Sequence, residues 1–233
     1  MTGSIYLLPV TLGGTDFSLT IPSKVLEITL RLRYFAVEDI RSARRYLRAL
    51  DSSFPVDETT FFELSEHTTD SDVSRYLHPV RNGFDLGIMS EAGLPGIADP
   101  GSVLTRLAHL NNIKVVPLSG PSSILLALIA SGMNGQNFSF HGYLPVKASE
   151  LRKKLDELEK RAQSGETQIF MEAPYRNQRM YEAITNTCKS GCLLCIAADI
   201  SLPTEEIRVA TVSKWRKNPP SLKNRPAIFL LGK

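Results

Sequence analysis

The chain has 233 residues, enough for one large domain or two small ones with real cores. Its hydrophobic share of 42% and charged share of 22% are ordinary for a globular protein. No apolar run approaches the roughly 18–20 residues that span a bilayer, so no membrane partner is expected. A formal charge of +3 neither demands nor excludes nucleic acid. Three cysteines are too few for a disulfide framework and point to a reducing, cytoplasmic location. No basic segment precedes the apolar one between Met1 and Leu8, so a signal peptide is not expected.

In chain order, Ile5 to Val10 reads as a first buried strand and Thr11-Leu12-Gly13-Gly14 as a flexible turn. Tyr34 to Val37 is a second strand, leading into a helix over about 38–50 with Ile40, Ala43, Leu47 and Leu50 on one face. A single amphipathic helix is predicted over 70–81, carrying Val73, Tyr76, Leu77 and Val80. Asp85 to Met89 is a strand that ends in the loop Ser90 to Gly101, followed by a helix over 102–110 and a strand over 114–118. This alternation predicts a mainly parallel, doubly wound sheet over residues 1–118. Ser119-Gly120-Pro121-Ser122-Ser123 then opens the longest apolar run, Ile124 to Ala130, read as a buried helix, and marks the start of a second domain over 119–233. There, strands are expected near 139–141, 167–172, 193–199, 208–212 and 227–231, with helices over 150–163 and 177–187. Strand-rich segments late in the chain predict a mixed sheet with helices. The fold class is therefore α/β, with two α/β domains.

The loop Ser90 to Gly101 holds three glycines and two prolines directly after a buried strand, a composition that lets backbone approach a ligand closely and rigidly. In an open α/β sheet the carboxyl ends of strands are where ligands bind. A plain strand-to-helix connection uses the same residues. Gly120-Pro121-Ser122-Ser123 offers backbone N–H groups at a helix start, suited to a polar ligand group or to a simple interdomain turn with a helix cap. Neither a phosphate-loop nor a dinucleotide-binding fingerprint occurs, which removes the usual support for kinase or nicotinamide chemistry.

Cys192 and Cys195 have Cys-x-x-Cys spacing but lie in an apolar strand, pointing to opposite faces, and read as buried small residues. His67, His78, His109 and His141 are dispersed and fit no ligand spacing, so no metal is expected. Arg41, Arg44, Arg45 and Arg48 form a stripe at helical spacing that suits a phosphate backbone or a solvated face. Lys147, Arg152, Lys153 and Lys154 form a second basic cluster, offset by Asp156, Glu157 and Glu159, and Lys214, Arg216 and Lys217 a third.

Five ordered motifs resemble the tetrapyrrole methylase superfamily, and within it the branch that methylates a ribose 2′-hydroxyl of small-subunit ribosomal RNA. They are Ala36-Val37-Glu38-Asp39-Ile40-Arg41, Ser90 to Pro95 with Asp99-Pro100-Gly101, Leu118 to Ser123, Phe140 to Lys147, and Glu172-Ala173-Pro174-Tyr175-Arg176. The resemblance implies an S-adenosylmethionine-dependent methyltransferase with the cofactor in a cleft between the domains. It sets Thr11, Ala92, Gly93, Leu94, Ile97, Ser122, Ser123, Glu172 and Ala210 near the cofactor, and it implies a homodimer. Glu91, Lys147, Glu172 and Arg176 occupy polar motif positions and are the catalytic candidates, none singled out as the base. Lys147 and Arg176, with the arginine stripe, are the expected RNA contacts. The chain departs from the branch at Val10 to Thr15, where only Gly13 of a Thr-Pro-Ile-Gly-Asn-Leu loop is kept, at Glu91 and Leu94, and at Asn224-Arg225-Pro226. The departures leave two alternatives open: methylation of a tetrapyrrole precursor at carbon, or a non-catalytic homologue that binds cofactor or RNA.

Overall fold

Four- and five-residue apolar runs build the first sheet, because a strand covered on both faces needs no polar alternation. The computed structural model describes residues 2–65 and 68–233; His67 lies outside the described residues. The chain divides into two units, Met1–Ser122 and Ser123–Lys233. In the first, the elements run β1 (Ser4–Leu8), α1 (Phe17–Thr20), α2 (Ser23–Arg31), β2 (Tyr34–Val37), α3 (Ile40–Leu50), β3 (Thr60–Glu63), α4 (Asp70–Tyr76), α5 (His78–Arg81), β4 (Leu86–Met89), α6 (Gly101–Leu110) and β5 (Lys114–Pro117). The sheet order is β3-β2-β4-β1-β5, and every pairing is parallel.

Alternate strand residues feed two cores. Ile5, Ala36, Leu86 and Ile88 pack with Val73, Leu77, Val80, Leu104 and Ala108 from α4 to α6. Leu8, Phe35, Val37 and Met89 pack on the opposite face with Ala43 and Leu47 of α3. Each fully buried Leu or Ile contributes about 2 kcal/mol of apolar transfer.

Two boundaries differ from the sequence expectation for local reasons. Helix α3 begins at Ile40, since Asp39 is its N-cap and accepts a hydrogen bond from the Ser42 amide at 2.6 Å. That leaves Glu38 on the strand-to-helix loop. The helix predicted over 70–81 is two helices, because Pro79 has no N–H to continue the ladder. Helix α2 and strand β3 were not expected.

The second unit runs α7 (Ser123–Ser131), β6 (Phe138–Tyr143), α8 (Ala148–Gln163), β7 (Thr167–Met171), α9 (Asn177–Thr187), β8 (Leu193–Ala198), β9 (Glu206–Thr211), α10 (Val212–Lys217) and β10 (Ala227–Gly232). The sheet order is β6-β7-β10-β8-β9, with one parallel pair, β6–β7, and three antiparallel ones. Its core joins Leu155, Leu158, Ile184 and Trp215 to Phe170, Leu194 and Phe229. The buried Trp215 indole donates to the Leu194 carbonyl at 2.9 Å, so the ring carries no unsatisfied donor into the core. Helix α7 covers β8, β9 and β10 but is not a buried helix: Ala127 and Leu128 face the sheet, whereas Leu125 is 48% and Ile129 74% exposed. A helix of uniform apolarity still has two faces, and this sheet covers one.

Candidate active site

Three loops meet at the carboxyl ends of the first sheet. After β1 the chain forms a bridge to the loop after β4, with the Val10 amide donating to the Gly93 carbonyl at 2.9 Å. Thr11, buried, turns its hydroxyl back onto the Gly14 carbonyl at 2.8 Å. Gly93 has a φ of +73°, and a Cβ there would stand 3.3 Å from Leu12 Cδ2 and 3.4 Å from the Pro121 carbonyl oxygen. The loop before α7 therefore arrives at the same point. Gly96, at φ +89°, faces open space. The Asp99 carboxylate accepts the Gly96 and Gly101 amides at 2.7 Å each, which staples this loop shut from inside. Ala98 is held at φ +61°, a strained value for a residue with a Cβ. Thr11, Ala92, Gly93, Leu94 and Ser122 are thus neighbours through backbone, in a cradle suited to a ligand held by main-chain groups. Ile97, 44% exposed, points elsewhere: with Leu7, Pro95, Thr105, His109 and Leu110 it lines a groove of about 570 Å³ along α6.

The same strand ends gather acids. Glu38 follows β2, Glu91 follows β4, and Asp99 lies in the stapled loop. A cavity of about 30 Å³, room for about one water, is lined by Val10, Glu38, Ser42, Tyr46, Ser90 and Glu91. Ser42 Oγ lies 3.5 Å from Glu91 Oε1. Burial of the Glu38 carboxyl, followed by repulsion from Asp99 and Glu91, raises its pKa to about 7, against a lowering hydrogen bond from the Glu91 backbone. Among the described residues, none of the three acids forms an ion pair within 4.0 Å. Glu38 was quoted in a motif but not assigned a role; its proximity to Glu91 depends on β2 and β4 being adjacent, which no local pattern reveals.

In the second unit, Glu172 ends β7 with its side chain nearly fully buried. Its Oε1 accepts Arg176 Nη2 at 2.6 Å and the Ala173 amide at 2.8 Å. Arg176 also stacks over Tyr175 at 5.4 Å. Arg176 Nε and Asn177 Oδ1 are buried without a partner. Asn177 Nδ2 donates to the Arg225 carbonyl at 2.6 Å, and Arg225 in turn binds Asp199 at 2.8 Å, Glu206 at 3.0 Å and the Thr204 carbonyl at 2.8 Å. Arg225, noted in sequence only as a departure, is the hub of this end of the sheet. Ala210 is not beside Glu172: it pairs with Leu194, three residues and three strands away from Met171, about 10 Å along and 14 Å across the sheet. Lys147 is the exposed N-cap of α8 and pairs with Glu150 at 3.2 Å.

Of the basic clusters, the α3 stripe is exposed. Arg44 pairs with Asp57 at 2.6 Å, Arg48 reaches it at 4.0 Å, and Arg45 donates to Ser42 Oγ at 3.2 Å. In α8, Glu157 pairs with Lys154, but Glu159 does not offset the lysines; it is buried and accepts the Lys189 amide. Arg216 is structural, donating to the Thr185 and Cys188 carbonyls at the end of α9. The three cysteines are buried free thiols, and among the described residues no cluster suited to a metal occurs.

A parallel sheet whose strand-end loops form a backbone cradle, followed by a mixed sheet, is a two-sheet α/β fold, and in fold the chain matches the solved structure of the methyltransferase CobJ at a TM-score of 0.65. That match has 17% identity and covers 100% of this chain and 95% of the other. The model of the tetrapyrrole (corrin/porphyrin) methylases matches residues 34–215, and the chain belongs to that family. It is a methyltransferase. The ribosomal RNA small subunit methyltransferase I of Pseudomonas aeruginosa is 32% identical over 91% of this chain and 73% of that protein. The protein of the same name from Vibrio cholerae is 32% identical over 74% of this chain and 56% of that protein, and that from Pasteurella multocida 28% over 100% and 80%.

Proposed function

We propose that this protein transfers the methyl group of S-adenosylmethionine to a ribose 2′-hydroxyl of small-subunit ribosomal RNA. The observation that supports it best is the meeting of the Val10, Gly93 and Pro121 loops, since a cofactor gripped by main-chain groups requires backbone free of side-chain cover. Open space beside Gly96 and the close approach at Gly93 fit a small polar nucleoside cofactor. In this reading Thr11, Ala92, Gly93, Leu94, Ser122 and Ser123 hold it, with Ile97, Glu172 and Ala210 the further positions that the family resemblance implies. The cofactor supplies an electrophilic methyl on a sulfonium; the protein supplies alignment, exclusion of water and a place for the departing proton. The names of the relatives support ribosomal RNA as acceptor. Arg41, Arg44, Arg45 and Arg48 would meet phosphates along exposed α3, and Lys147 and Arg176 are the further RNA contacts. Glu91 and Glu172 are the acidic candidates for the chemistry.

The proposal also includes a homodimer, for which the exposed Ile129 of α7 offers apolar surface, and a cytoplasmic location, which three free thiols suit. No described helix is long and apolar enough to cross a membrane.

The test is tritium transfer from labelled S-adenosylmethionine to small ribosomal subunits from a strain lacking the gene, beside wild-type subunits. Label entering only the deletion-strain RNA is expected. Label in a tetrapyrrole precursor instead, or tight cofactor binding with no transfer to any RNA, would overturn the RNA reading. Light scattering at twice the 25.8 kDa chain mass would support the dimer.

A further inference from the structure

We infer that Glu38 is the proton acceptor for the methyl-accepting hydroxyl, which enters the small cavity between β2 and β4. The inference rests on the O-methyl transfer proposed above. A cavity of about 30 Å³ admits a hydroxyl or a water and little else, and its polar lining comes from Glu38, Asp39, Ser42, Tyr46, Ser90 and Glu91. Val10 lines it from the loop after β1, one residue before Thr11, and Glu91 from the loop after β4, one residue before Ala92, so it adjoins the backbone cradle. The sheet end on which it sits is the ligand-binding end of this architecture.

Among the three acids, chemistry selects Glu38. Asp99 is committed to the Gly96 and Gly101 amides and shapes the loop. Glu91 is exposed and shares the Ser42 hydroxyl. Glu38 is half-buried; Asp39 and Tyr46 line the same cavity from the α3 side and Glu91 from the loop after β4, Asp99 repels it from that loop, and Arg45 is bonded to Ser42, which also lines the cavity. With its pKa at about 7, it can take a proton and return it to solvent within one turnover near neutral pH. In the transfer step the acceptor oxygen bonds to the methyl carbon as the carbon–sulfur bond breaks with its electron pair staying on sulfur. The hydroxyl proton passes to the Glu38 carboxylate, and charge and atoms balance.

The experiment compares wild type, Glu38→Gln and Glu38→Asp in single-turnover methyl transfer to deletion-strain subunits across about pH 5.5 to 9, with cofactor affinity measured by calorimetry. Wild-type rates should rise with pH and level off above about 7. Glu38→Gln should lose roughly 100-fold in rate and the pH-dependent limb, with cofactor affinity unchanged; Glu38→Asp should recover part of the rate and the limb. A Glu38→Gln protein with full rate, or one losing rate and cofactor affinity together while keeping the limb, would overturn the inference. Carboxyl NMR of the wild type gives a reading independent of turnover: a midpoint for Glu38 near 7 supports it, and one in the ordinary carboxylate range removes it. A wild type that labels no RNA fails the functional reading itself and takes the inference with it, an outcome distinct from an inert substitution in an active enzyme.

Discussion

The two units treat the acids at their strand ends in opposite ways. In the second, each buried acid at a strand end has its own arginine: Glu172 binds Arg176, while Asp199 binds Arg225, which also reaches Glu206. In the first, Glu38, Glu91 and Asp99 converge with no ion pair among the described residues, and burial, followed by repulsion from the other two, pushes Glu38 toward neutrality. Buried charge that is paired holds a scaffold in register; like charges left together set up a group whose protonation is ready to change. The contrast separates a supporting wall from a reacting one by electrostatics alone.

The largest effect should come from making the second unit resemble the first. Arg225→Ala leaves Asp199 buried and unpaired beside Glu206, and urea unfolding should show a loss of about 3 kcal/mol; a loss below about 1 kcal/mol would mean that the hub is ornamental. Glu172→Gln keeps the shape but removes the charge that Arg176 Nη2 and the Ala173 amide share, and should cost about 1–2 kcal/mol in the same assay.

Relieving the first unit should act the other way, with a pH signature. The folded pKa of Glu38, about 7, lies above its ordinary value of 4.5. Below about 4.5 both folded and unfolded chains hold the proton, and there is no penalty. Between the two values the unfolded chain has released a proton that the folded chain keeps, so stability falls as pH rises, and the penalty is complete above about 7. Glu38→Gln should therefore raise Tm by about 2 °C at pH 8, a modest shift for a partly solvated group, and by nothing near pH 4. A Tm that falls at pH 8 would contradict the repulsion account.

The smallest stability effect is expected on the exposed stripe. Arg44→Ala breaks an exposed pair with Asp57 and should change unfolding by less than about 0.5 kcal/mol. Binding to subunit RNA should weaken and lose about one unit of its salt dependence. A stability loss without a change in salt slope would assign the stripe to packing.

Much of the architecture was legible because burial leaves a local trace. β1, β2, β4 and β5 are short, mainly apolar runs, and α3, α6, α8 and α9 are periodic segments. Strand β3 was missed because Thr60–Glu63 is half-exposed and polar at both ends; helix α2 has an apolar stripe, but over only nine residues and with branched side chains that also suit a strand. Pro79 announced a break that the periodicity of 70–81 obscured.

By itself, then, the sequence determined the alternation of elements, the glycine- and proline-rich loops and the motifs that carry the family. Those depend on neighbours a few residues apart. What only the tertiary structure decided is which loops meet and which charges lack partners: Val10 with Gly93, Glu38 with Glu91 and Asp99, Arg225 with Asp199. These contacts join segments tens of residues apart, and their electrostatics depend on the burial that joining creates, so no window of sequence contains them.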